Sequence, residues 1–100
     1  MTEIYIRGGH VRDTHFAFEE MLETLRKNNI KVFIVKREKM ELETEKSRIR
    51  FLPANRDTTG ITCDIAIGFE EKMAVRMMRG RKRKIDSIID FIKEREAAGK

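Results

Sequence analysis

Six cations crowd into nine residues near the C-terminal end of the chain: Arg76, Arg79, Arg81, Lys82, Arg83 and Lys84. Side chains of this type at this density neutralise consecutive phosphates, giving affinity without sequence readout and a steep salt dependence. No aromatic residue is interleaved among them, so stacking on unpaired bases is not part of the pattern. The six are the candidate nucleic-acid-binding residues. The plainer alternative is a solvated helix joint that keeps the protein soluble. Arg48, Arg50 and Arg56 extend the patch if the sheet edge lies nearby.

A second candidate site is the glycine turn near the start. Ile4-Tyr5-Ile6 is apolar, Arg7-Gly8-Gly9-His10 breaks the run, and Asp13-Thr14 opens a helical pattern. Backbone N–H groups at a strand-to-helix turn, with the helix dipole behind them, form an anion site. A nucleotide-binding loop of the form G-x-x-x-x-G-K-[ST] adds a lysine for the β/γ-phosphates and a hydroxyl for magnesium. With Gly8 on the first motif glycine, Asp13 takes the second glycine's place, Thr14 the lysine's and His15 the hydroxyl's. Asp13 repels phosphate, and Arg12 is left as a partial substitute for the lysine. Gly8, Gly9, Arg12 and Thr14 are thus the candidate anion-binding set, against the simpler reading of a turn joining strand to helix.

Other reactive side chains are sparse. Asp64 and Glu70, six residues apart across a strand end, are the weak catalytic candidates for a metal-dependent nuclease, with no third carboxylate placed beside them. His10 and His15 do not share a helical face and no cluster completes a metal site, so no metal is expected. The lone Cys63 excludes an internal disulfide, suits a reducing compartment, and reads as a small core residue rather than a nucleophile.

The order strand, polar loop, Gly60, apolar strand, acidic pair runs through Arg48-Ile49-Arg50-Phe51, Asn55 to Gly60 and Cys63 to Glu71. Together with Ile4-Tyr5-Ile6-Arg7-Gly8-Gly9 and the helix that follows, it resembles the ATPase core of phage terminase large subunits and related helicase-like P-loop NTPases. The resemblance covers about two-thirds of the chain, in a truncated form. It implies an Asp on magnesium and a Glu orienting water after the apolar strand. Phe69 falls at that Asp position and Glu70 at the Glu position, so both nucleotide motifs depart from the family where the chemistry is done. The resemblance therefore implies a phage or bacterial accessory protein without ATP hydrolysis and without a cofactor.

The elements that must position these residues follow from periodicity. Strand, glycine turn, helix and strand over Thr2 to Val35 make a βαβ unit, with Phe18, Met21, Leu22 and Leu25 as the helix stripe, Asp13 or Thr14 as its cap and Asn28-Asn29 as its end. Val32 to Val35 has the look of a buried strand. Met40, Leu42 and Thr44 alternate with Glu41, Glu43 and Glu45 as a weak strand, and Arg48 to Leu52 alternates more clearly. Ile61 to Ile67 is a further strand. From Phe69 onward the pattern is helical, with Met73 and Met77 on one face, a break near Gly80, a second stripe of Ile85, Ile88, Ile89 and Ile92, and a fraying end from Glu94.

These elements predict a single α/β domain over 1–100: a four- to five-stranded mixed or mostly parallel sheet with a C-terminal helix or helix pair. Apolar residues at 40% and charged residues at 39% fit a folded domain, and a net charge of +5 with pI near 9.6 favours an anionic partner. No apolar run reaches the ~20 residues that span a bilayer, and no secretion signal opens the chain, so a cytoplasmic location is expected. The methionine and isoleucine stripes exceed what a small sheet face needs, which leaves apolar surface for a homodimer. The functional expectation is a non-enzymatic protein that binds nucleic acid, or a nucleic-acid-processing protein partner, through the basic segment. The rivals are a regulatory interaction module derived from a P-loop core, and a weak nucleotide hydrolase or nuclease.

Overall fold

The computed structural model describes residues 1–81, 85 and 87–97. The chain is α/β. It runs β1 (Thr2–Arg7), α1 (Val11–Lys27), β2 (Val32–Lys36), β3 (Glu41–Thr44), β4 (Ser47–Leu52), β5 (Ile65–Ile67), α2 (Glu71–Met77) and α3 (Ile88–Ala97). The five strands form one mixed sheet in the order β2-β3-β4-β1-β5. β1 lies parallel to β4 and to β5, while β2–β3 and β3–β4 are antiparallel.

Two antiparallel steps bring β2 back to the direction of β1, as a helical crossover requires. The two strands are not neighbours, however. β3 and β4 fill the space between them, because the chain leaving β2 doubles back twice and β4 brings the apolar Ile49 and Phe51 beside β1. β2 is therefore an edge strand rather than a buried one. A register shift between Val32 and Ile34 accommodates Phe33, so Val32 and Val35 pack on the core while Phe33 (56% exposed) and Ile34 (40% exposed) face solvent.

α1 forms because Thr14, Phe18, Leu22 and Leu25 recur on one face and are all buried. It starts earlier than the expected cap. Val11 is the first helical residue, and His10 precedes it without a side-chain cap. Thr14 is a buried wall residue whose hydroxyl donates to the His10 carbonyl (2.8 Å). Asn29 ends the helix at φ 59, a left-handed conformation that asparagine tolerates, and Ile30 N–H closes back on Leu25 O (2.9 Å).

Successive strand residues point to opposite faces. Ile4 joins Phe18, Phe51, Leu42, Ile49 and Ile92 in the main core, with Ile85, Ile88 and Ile89 packed against it, so α1 and α3 cover one face. Phe18 and Phe51 meet edge to face, 5.9 Å between centroids. Tyr5 belongs to a smaller cluster on the other face with Leu52, Met77, Met73 and Phe69, under α2. The isoleucine and methionine stripes thus pack on two opposite sheet faces, with Ile85, Ile88, Ile89 and Met73 only partly buried. α3 does not fray from Glu94: it continues to Ala97, held by Arg95 donating to Thr2 Oγ1 (2.6 Å) and by Glu96 accepting from Lys46 N–H (3.4 Å). β5 is three residues long, shorter than the apolar run suggested, because residues 61–63 leave the sheet to lie along α2, where Cys63 N–H donates to Met77 O (2.9 Å).

Candidate nucleic-acid interface

The end of α2 is anchored from below and open above. Met77 and Met78 are buried, while Arg76, Arg79 and Arg81 are exposed. The chain reverses there through Arg79 (φ 56) and Gly80 (φ 83), with Gly80 N–H donating to Val75 O (2.7 Å) and Arg79 N–H to Arg76 O (3.1 Å). A Cβ at Gly80 would meet nothing, so the left-handed backbone alone explains the glycine. Arg79 and Arg81 line a shallow concavity with Glu3 and Asp64. Hydrogen bonds that Thr59 donates to the Asp57 carboxyl hold it below its ordinary range, and the charge of Arg76 adds to this. None of the three arginines forms an ion pair with a described residue; Arg79 donates to Thr62 Oγ1 (3.4 Å). Lys82, Arg83 and Lys84 of the expected set lie outside the described residues.

Arg48 and Arg50 do not extend this patch. Cross-strand register places Tyr5, Arg50, Glu41 and Lys36 in one row, and Glu3, Arg48 and Glu43 in the next. Arg48 bridges Glu3 (2.9 Å) and Glu43 (3.2 Å), and Arg50 pairs with Glu41, which also meets Lys36 (3.3 Å). Glu41 is only 4% exposed. Burial opposes its ionisation, but hydrogen bonds from Arg50 and Lys36 outweigh that and hold its carboxyl below the ordinary range. For Arg50, burial works against the charge, and the bonds to Glu41 and Tyr5 more than restore it.

Positive charge is therefore localised. Residues 76–84 carry six cations and no acid, one more than the net +5 of the whole chain, which leaves the other residues at −1 together.

The glycine turn is filled. A Cβ at Gly8 would lie 2.1 Å from Thr14 Oγ1 and 2.8 Å from Thr14 Cβ, so Gly8 makes room for the helix wall. Gly8 N–H donates to Leu52 O (2.7 Å), Thr14 Oγ1 is spent on His10 O, and Asp13 leans over Gly9. Arg12 is exposed on the first turn of α1. Asp64 and Glu70 are not brought together. They sit at opposite ends of β5, Asp64 accepting from Glu3 N–H (2.8 Å) and Glu70 preceding α2. Among the described residues no three His, Cys, Asp or Glu side chains converge as metal ligands. Burial pushes the Cys63 thiol up to about 11, with the Asp64 charge adding to it, so the thiol is protonated at neutral pH. No helix among the described residues is long and apolar enough to cross a membrane.

Compared with protein-family models, curated proteins and solved structures, the chain matches none.

The charged rows across the sheet were not anticipated as a unit. Their signal was present in the two-residue spacing of Glu41/Glu43 and of Arg48/Arg50, which puts each pair on one strand face. Only the register joins them.

Proposed function

We propose that the protein is a non-enzymatic accessory protein that binds nucleic acid through the phosphate backbone, using residues 76–84. The observation that carries this reading is the confinement of the chain's excess positive charge to that segment, while the arginines of the sheet are neutralised by Glu3, Glu41 and Glu43. Point charges without aromatic partners favour sequence-independent contact and leave base identity unread.

Fluorescence anisotropy with single- and double-stranded DNA and RNA over a salt series tests it. Full engagement of six phosphates on duplex DNA gives a log–log salt slope of about −5. Neutralising Arg81, Lys82, Arg83 and Lys84 leaves two cations and a slope of about −2. Absence of binding at low salt, or binding unchanged in that variant, rejects the proposal.

A second reading has one observation in its favour. The turn at Gly8 is occupied by Thr14 and its N–H is committed to Leu52, as suits an interaction module derived from a P-loop core that no longer takes nucleotide. Salt-insensitive capture of a protein partner, without DNA binding, would select it.

A further inference from the structure

The sheet face opposite α1 and α3 is covered by α2 only at one side. Beside that cover lies a concavity of about 600 Å³, within the range of small-molecule sites. Its floor is the row Tyr5-Arg50-Glu41-Lys36, and its rim carries Lys39 from the β2–β3 turn and Arg56 from the loop after β4. It opens beside Leu52 and Pro53, at the carboxyl end of β4, the side of an open α/β sheet where ligands are usually received.

Two independent features define what it would hold. The first is charge. Lys36, Lys39, Arg50 and Arg56 line it against Glu38 and Glu41, and the Glu41 carboxylate is already saturated by Arg50 and Lys36. Lys39 and Arg56 are exposed at the rim and pair with no described carboxylate. The second is a donor without an acceptor. Arg50 Nη1 donates to the Tyr5 hydroxyl oxygen (2.6 Å), and Tyr5 is 6% exposed. Its hydroxyl makes no other hydrogen bond to a described residue and lines the concavity, which leaves its proton free to be donated to a bound acceptor.

We infer that this concavity is a binding site for a small organic anion, a phosphate- or carboxylate-bearing molecule of up to nucleotide size. An anionic oxygen accepts the Tyr5 proton at the floor, Lys39 and Arg56 close on the charge from the rim, and Leu52 and Ile61 supply apolar wall to the uncharged part. Its lining shares no residue with 76–84, and the inference does not rest on what that segment binds.

Tyr5 is the only tyrosine and the chain has no tryptophan, so near-ultraviolet emission reports this site. The test is a fluorescence titration of the full chain with AMP, with citrate and with neutral adenosine. The expected result is a saturable change with AMP or citrate and none with adenosine; the anion that responds identifies phosphate or carboxylate. Lys39→Ala with Arg56→Ala, both exposed positions, weakens binding about tenfold or more. Neutralising Arg81, Lys82, Arg83 and Lys84 leaves it unchanged. Circular dichroism confirms that both variants fold. No saturable response to either anion up to about 10 mM overturns the inference. So do an equal response to adenosine, or binding that survives the rim double variant and is lost with the basic segment.

Discussion

Gly8→Ala separates a structural turn from an anion cradle. The new Cβ would stand 2.1, 2.8 and 2.9 Å from the Oγ1, Cβ and Cγ2 atoms of Thr14. Thr14 cannot yield cheaply: it is fully buried, β-branched and in the first turn of α1, with its hydroxyl on His10 O. The helix N-terminus must move away from the end of β1. Overpacking of this kind costs about 1–3 kcal/mol, and loss of the Thr14 hydrogen bond adds about 1. The expected loss is therefore ~3 kcal/mol, a fall of about 2 M in the urea midpoint of a domain this size. Thr14→Gly alone costs about 2 kcal/mol, from the lost bond, the buried methyl removed and a smaller loss of helix propensity. Because it removes the three atoms nearest the new Cβ, the double variant should cost little more than Thr14→Gly alone, which gives a coupling of about 3 kcal/mol in the cycle. A Gly8→Ala midpoint within ~0.3 M of wild type, or simple additivity of the two changes, would refute the packing account. Unchanged stability with weakened phosphate binding would instead assign Gly8 to an anion site.

The Glu41 carboxyl is held below its ordinary value in the folded chain, so its contribution to stability is full above the unfolded value of about 4.3 and is lost as pH falls through the lower folded value. Urea midpoints taken from neutral pH into the acid range should fall more steeply for wild type than for Glu41→Gln. With its thiol raised to about 11, half-buried Cys63 should react with an aromatic disulfide at pH 8 roughly two-hundredfold more slowly than a free thiol, and at the ordinary rate in urea; fast native labelling would contradict the raised value. Phe33→Ser on the exposed bulge of β2 should shift stability by less than about 0.5 kcal/mol, whereas Ile92→Ala, fully buried, should cost about 2–5 by thermal unfolding.

What could be foreseen from the amino acids depended on how local the deciding contact was. The α1 stripe, the alternation in β3 and β4, and the break at Gly80 are set by neighbours three or four residues away, and each is found near its expected place. β2 misled because Val32 to Val35 are all apolar. Whether such a run is central or marginal is settled by where the next two strands go, and the extra residue at Phe33 turns half of it outward. The end of α3 misled for the same reason, since Arg95 is fixed by Thr2, ninety-three residues away in sequence. At the glycine turn, the missing lysine was legible, but that Thr14 fills the space above Gly8 was not, because the helix was expected to open at Asp13-Thr14 rather than at Val11. The concavity over Tyr5 needed residues from four strands in register, and no single stretch of the chain carries it.

The interior position of β1, between β4 and β5, also shapes how the chain acquires its structure. Its parallel partners are 45 residues away on β4 and 61 on β5, whereas β2, β3 and β4 follow one another through short turns. The meander from β2 to β4 can close early at low entropic cost, with α1 docked on it, while the seam along β1 forms late because two long loops must close around it. Until then β4 presents an unpaired edge bearing Ile49 and Phe51, and an intermediate in that state would be the species most prone to self-association during refolding. In hydrogen exchange the β1 amides should nevertheless be among the slowest in the native protein, since the strand that forms last is bonded on both sides once it is in place.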